Sequence, residues 1–85
     1  MEFIIEENRI FKKDENGKVI AEIEFEEIQS GLFNIFHTFV DESLRGQGIA
    51  SKLVEMALSE IQKKGGKPQA TCSYAQKYFE KHGIN

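Results

Sequence analysis

A compact α/β fold is what this 85-residue sequence predicts: N-terminal antiparallel strands, then a β-α-β crossover and a C-terminal helix, sharing one mixed sheet. Three observations lead there. Asn16-Gly17 stands between two strand-like segments, the strongest short-range signal of a β-hairpin. Residues 34–58 change from a strand pattern, through a glycine-bearing loop, to apolar positions Ala50, Val54, Ala57 and Ile61 at helical spacing. A second short strand and a second helix then follow the Gly65-Gly66 break, and strands joined through a helix pair in parallel, with a right-handed crossover.

In chain order, Phe3, Ile4 and Ile5 form an apolar run broken by Glu6, Glu7 and Asn8 before residues 9–13; both pieces fit strands, or one strand with a bulge. Beyond the turn at residues 14–18, Val19, Ala21, Ile23 and Phe25 alternate with Glu22, Glu24 and Glu26, so one face packs and the other meets water. The carboxylates of residues 22–27 read either as a surface for a cationic substrate or as the solvated side of a strand. After a turn at residues 29–31, residues 32–40 are apolar at both parities, which predicts a central strand covered on each side. The first helix spans about residues 48–64 and stops at Gly65-Gly66. A strand over residues 68–72 starts on Pro68, a position a strand tolerates, and Ser73 suits the N-cap of a helix ending near Lys81.

Composition bounds the function. The length fits one domain over residues 1–85, with no internal repeat or linker. With 40% hydrophobic residues, seven Phe and a net charge of −3, the chain reads as an ordinary globular protein. The acidic balance argues against a nucleic-acid surface. No apolar run approaches the roughly 20 residues of a membrane span, and the first residues lack the basic start and cleavage site of a signal peptide. With Cys72 as its one cysteine, the chain forms no internal disulfide and suits a reducing interior, so a cytoplasmic location is expected.

The loop Arg45-Gly46-Gln47-Gly48 faces the start of the first helix. Such an end exposes unpaired N–H groups and the positive pole of the helix dipole, which suit the phosphates of an anionic cofactor. Glycine there permits positive φ and close approach of a ligand. A dinucleotide-binding fingerprint would need a third glycine and an acidic residue ending the next strand, where Thr71-Cys72 stands instead. A phosphate loop of the Walker type would need Gly-Lys-Ser/Thr, and none closes this loop. In open sheets the ligand crevice lies beyond the carboxyl ends of parallel strands. That rule brings residues 37–40, Thr71, Cys72 and the glycine loop to one edge.

The run Arg45-Gly46-Gln47-Gly48-Ile49-Ala50 resembles the acetyl-coenzyme A loop of GCN5-related N-acetyltransferases: Arg or Gln, two residues, Gly, one residue, then Gly or Ala. His37-Thr38 before the loop and Cys72-Ser73-Tyr74 after the last strand resemble the small YjdJ-type subgroup, over roughly residues 8 to 82. The resemblance implies that acetyl-CoA is the cosubstrate and an amine the acceptor. It implies that the backbone of Gln47, Gly48, Ile49 and Ala50 holds the pyrophosphate, with Arg45 and Gly46 beside it, while main-chain groups of Phe39 and Val40 pair with the pantetheine arm. Two departures matter. The two helices that follow the first strand in larger relatives are replaced by the Asn16-Gly17 turn, and Phe79 stands where the family's tyrosine often protonates the leaving thiolate.

Catalytic groups are therefore sought locally. Cys72, just before a helix, is a candidate nucleophile or base, or an acid or orienting group, the last two preferred because direct transfer is the route the resemblance implies, or else it is a small buried residue. His37 is a candidate general base, or else a hydrogen-bonded core histidine. The two are expected to act together at the acetyl end of the cofactor. Tyr74 and Tyr78 could replace the lost acid or simply pack, and His82 is expected to be exposed. No His, Cys or carboxylate spacing marks a metal site. An N-acetyltransferase leads; a non-catalytic acyl-CoA-binding module and a pure interaction domain are the other readings.

Overall fold

In the computed structural model, which describes residues 2–84, the strands line up in the sheet in the order they occupy in the chain. They are β1 (Ile4–Ile5), β2 (Arg9–Lys13), β3 (Val19–Gln29), β4 (Leu32–Val40) and β5 (Lys67–Ala70). The first four pair antiparallel and β5 runs parallel to β4, because helix α1 (Ile49–Lys63) carries the chain back between them. Helix α2 (Ser73–His82) follows β5. Residues 3–13 form two strands joined by a turn, rather than one bulged strand; Glu6 N donates to the Arg9 carbonyl at 2.7 Å and closes it.

Local chemistry accounts for the turns. Asp14 accepts from the backbone N–H groups of Asn16 (2.9 Å) and Lys18 (3.0 Å), and Gly17 takes φ +84°, so the predicted hairpin forms. Helix α1 ends as the two glycines dictate: Gly65 adopts a positive φ, and Gly66 N donates to the Ile61 carbonyl at 3.0 Å. A Cβ on Gly66 would lie 2.5 Å from the Phe33 ring, so this glycine also admits the core. Helix α2 starts one residue earlier than expected. Cys72 is its N-cap and Ser73 already helical, because Gln76 N donates to the Cys72 carbonyl at 2.9 Å.

Both helices pack on the same face of the sheet. Ile10, Ala21, Ile23, Phe25, Phe33 and Ile35 from the strands meet Leu53, Val54, Ala57 and Ile61 of α1 and Ala75 and Phe79 of α2 in one core. The opposite face carries no helix among the described residues. Two expectations for residues 32–40 are thereby corrected. The middle strand is β3, and β4 is not covered on both sides: Phe36 is 43% and Phe39 38% exposed. Both parities of residues 32–40 are apolar because an extra residue, Phe36, interrupts the register: Phe25 pairs with Ile35, but Glu24 pairs with His37. Such a bulge swaps the faces beyond it. Phe33 and Ile35 point to the helices before the bulge, while Thr38 and Val40, paired with Ile23 and Ala21, do so after it. No helix among the described residues is long and apolar enough to cross a membrane.

Candidate active site

Helix α1 begins without the side-chain cap that most helices recruit. Its N-cap is Gly48 at φ +72°, which offers no side chain, and the first turn holds no acidic residue. The first intrahelical bond shown at this end is Lys52 N to the Gly48 carbonyl, at 3.1 Å. The N–H groups of Ile49, Ala50 and Ser51 thus have no helical partner, and the dipole's positive end is unopposed. Gly46 (φ +82°) bends the chain ahead of it, and a Cβ at Gly46 or Gly48 would meet no atom within 4 Å. Their positive φ, not internal packing, requires these glycines. The neighbouring 3-10 turn Glu42–Leu44 is capped in the ordinary way, with Asp41 accepting from the backbone and hydroxyl of Ser43.

The uncapped end opens on a cleft of about 330 Å³ lined by Val40, Leu44, Arg45, Gly46, Gly48, Ile49, Ala50, Ser51 and Tyr74. Six of these are cofactor-loop candidates from the sequence. Gln47 and Phe39 do not line it. The Gln47 side chain turns back to the Ser43 carbonyl (3.5 Å) and borders a larger concavity of about 770 Å³ with Phe3, Lys52 and Met56. Phe39 points to the helix-free face, paired with Glu22. Leu44 and Ser51 are additions; each lies within a turn of the glycine motif, so the motif's flanks carried the signal.

The two parallel strands part just where the cleft needs them to. β4 and β5 pair from Leu32–Lys67 to Ile35–Ala70, and then the Ile35 carbonyl accepts from both Thr71 N (3.0 Å) and Cys72 N (3.2 Å) as the chain turns into α2. On the helix-free face, buried Asn34 ties the fork shut, bonding Thr71 at 3.1 Å and Gln69 at 3.4 Å. Beyond the fork, residues 36–40 have no β5 partner. Cys72 is buried and its thiol donates to Thr38 Oγ1 at 3.1 Å, which places it on the helix side.

His37 lies on the other side. It is paired with Glu24, and its Nε2 is 3.3 Å from Glu22 Oε1. The direct Cys72–His37 partnership expected from the sequence is therefore corrected: the Phe36 bulge turns Thr38, not His37, towards the thiol. Around His37 the strands gather a cluster that no linear spacing announced. Arg9 donates through Nε to Glu22 Oε2 at 2.6 Å, with Nη2 on the same oxygen, and its guanidinium covers the Phe11 ring at 3.9 Å. Glu22, Glu24 and His37 each bring one ligand-type atom within 4.8 Å of the others, an arrangement the sequence spacing did not suggest. Arg9 already neutralises Glu22, which opposes a cation there.

The remaining candidates sort by position. Phe79, which has no hydroxyl to offer, is buried in the core. Tyr78 stacks on His82, with ring centroids 4.1 Å apart, and burial followed by the Glu55 carboxylate raises its hydroxyl above the ordinary tyrosine value. Of the two tyrosines, Tyr74 is the one on the cleft wall.

Comparison with known proteins decides the family. The profile described as GCN5-related N-acetyl-transferase matches residues 9–84, nearly the whole chain. The chain belongs to this family. A GCN5-like protein from Staphylococcus aureus shares 31% identity with it and superposes with a TM-score of 0.78, over 95% of this chain and 79% of that one. A Mycobacterium tuberculosis protein solved in complex with CoA has the same fold, with a TM-score of 0.72 at 20% identity, over 89% of this chain and 47% of that one. Protein NATD1 of Gallus gallus and of Mus musculus is 32% identical over 60 residues, 71% of this chain and 54% of the relative. This member of the family thus spans about half the length of the curated relatives it matches. The matches reach the family and stop short of the YjdJ-type subgroup.

Proposed function

We propose that this GCN5-related N-acetyltransferase binds acetyl-CoA at the start of α1 and transfers the acetyl group to an amine. The observation that carries the proposal is the uncapped, acid-free helix end opening onto a cleft at the β4–β5 fork. Backbone N–H groups of residues 47–50 would hold the pyrophosphate, and Arg45 would add a mobile charge. The unpaired edge of β4 at Phe39 and Val40 offers backbone groups to the pantetheine amides, as an added strand would take them. The thioester then lies towards Thr38 and Cys72. Because the thiol is buried and donates to Thr38, and His37 is on the far face, Cys72 takes an orienting role and not that of nucleophile. Tyr74, on the cleft wall, is the group to protonate the departing thiolate. A cytoplasmic setting suits both acetyl-CoA and the single free thiol.

A second reading has an observation of its own: with Phe79 buried where the family often has a tyrosine, the chain could bind acyl-CoA without turning it over. Release of CoA thiol from acetyl-CoA, measured with a peptide N-terminus, a lysine, a polyamine and a small amino metabolite, separates the two. Turnover with one class of amine, lost in Gly48→Val while the fold persists, is the expected result. Binding with no turnover for any amine favours the second reading, and undiminished activity in Gly48→Val would overturn the site. Mass spectrometry after incubation with acetyl-CoA alone should find no acetyl adduct on Cys72.

A further inference from the structure

We propose that His37 is the general base for the acceptor amine, and that Glu22, clamped by Arg9, is the positioning residue that holds it; this rests on the acetyl-transfer reading above. The two oxygens of Glu22 have separate duties. Oε2 takes Arg9 Nε at 2.6 Å together with Nη2, while Oε1 faces His37 Nε2 at 3.3 Å. A surface ion pair would merit little weight. Here, however, the Glu22 side chain is only 15% exposed, and the Arg9 guanidinium sits over the ring of Phe11, itself 4% exposed, so the carboxylate is fixed from behind. The imidazole is 45% exposed and accessible to a substrate.

A carboxylate beside Nε2 favours the neutral tautomer with its proton on that nitrogen, leaving Nδ1 as the proton acceptor. The charged groups facing His37 are Glu22 and Glu24 of β3, with Arg9 of β2 behind Glu22. Location supplies the rest of the argument. His37 is next to Thr38, beyond the point where β4 and β5 separate, and on the face that no helix covers among the described residues. With acetyl-CoA entering from the helix side, the bare face is the free approach for an amine. The amine nitrogen's lone pair forms the new C–N bond at the thioester carbonyl, its proton passes to His37 Nδ1, and the C–S bond breaks to release the CoA thiolate. Phe39, exposed on the same face, offers that amine an apolar wall.

The test is the pH dependence of acetyl transfer to an amine that the wild type accepts, run on wild type, His37→Gln and Glu22→Gln, with acetyl-CoA affinity measured alongside. In the wild type, turnover should show an acid limb, the signature of a general base. His37→Gln should lose roughly 10²-fold or more in kcat together with that acid limb. Glu22→Gln should lose about 10-fold in kcat, keep the acid limb and leave the KM for acetyl-CoA unchanged. A His37→Gln variant that keeps its turnover, or keeps the acid limb, overturns the assignment to His37. Full kcat in Glu22→Gln overturns the positioning role. Wild type that binds acetyl-CoA but acetylates no amine overturns this proposal while leaving the cofactor site intact, and absence of binding overturns the underlying reading.

Discussion

The two faces of the sheet are built from the same strands and do different work. The inner face is closed by both helices, and its side chains, Ile10, Ile23, Phe25 and Ile35 among them, are fully buried. The outer face carries no helix among the described residues; there Arg9 pairs with Glu22, and Glu22, Glu24 and His37 bring ligand-type atoms within 4.8 Å of one another. Strand β4 serves both. Within six residues it sends Ile35 and Val40 inward and His37 and Phe39 outward, with the Phe36 bulge resetting the alternation between them. One extra residue thus decides which side chains of β4 face the helices and which face the open side of the sheet.

The contrast is broken most forcefully by truncating one side chain on each face of β4. Ile35→Ala, at a site with no exposure, should cost about 2–5 kcal/mol, a large share of the roughly 5–15 kcal/mol that stabilises a small domain. Phe39→Ala, on the bare face, should cost under about 1 kcal/mol. Urea unfolding midpoints read both; equal losses would mean the outer face is covered after all. A smaller effect sharpens the fork itself. Thr38→Val removes the partner of the Cys72 thiol at nearly constant shape and should cost about 1 kcal/mol by the same measurement.

The smallest effect lies at the ordinary cap beside the uncapped helix. Ser43, first through its hydroxyl and then its backbone N–H, holds the Asp41 carboxyl below the usual carboxylate range, with Lys18 and Arg45 adding to the shift. A depressed folded-state value means that the stabilisation is fully present above the unfolded value near about 4 and is lost as pH falls through the lower folded value. Thermal melts of wild type and Asp41→Ala should therefore differ at neutral pH and converge as pH drops well below about 4. A gap that persists unchanged in strong acid would contradict this account.

Much of this could be read from the chain. The hairpin at Asn16-Gly17, both helices, the Gly65 stop and the glycine loop follow from local periodicity and backbone preference, which neighbouring residues encode. The outer-face cluster could not. Arg9, Glu22 and His37 come together only through the registers of three strands, and residues 32–40 are apolar at both parities, so nothing in that stretch reveals where the bulge falls. The same ambiguity made Cys72 and His37 look like neighbours. The alternation of Arg9 with Phe11 and of Glu22 with Glu24 was the available hint, since each pair shares one face.

Acetyl-CoA is proposed to lie on the helix side of the fork, at the open start of α1. Titrating acetyl-CoA into the ¹⁵N-labelled protein and following its backbone amides tests this directly. Saturable shifts should concentrate at Gly46 to Ser51, Val40 and Tyr74, around the cleft of about 330 Å³. Shifts centred instead on Phe3, Lys52 and Met56, which border the larger concavity on the other flank of α1, or no saturable shifts at all, would contradict it.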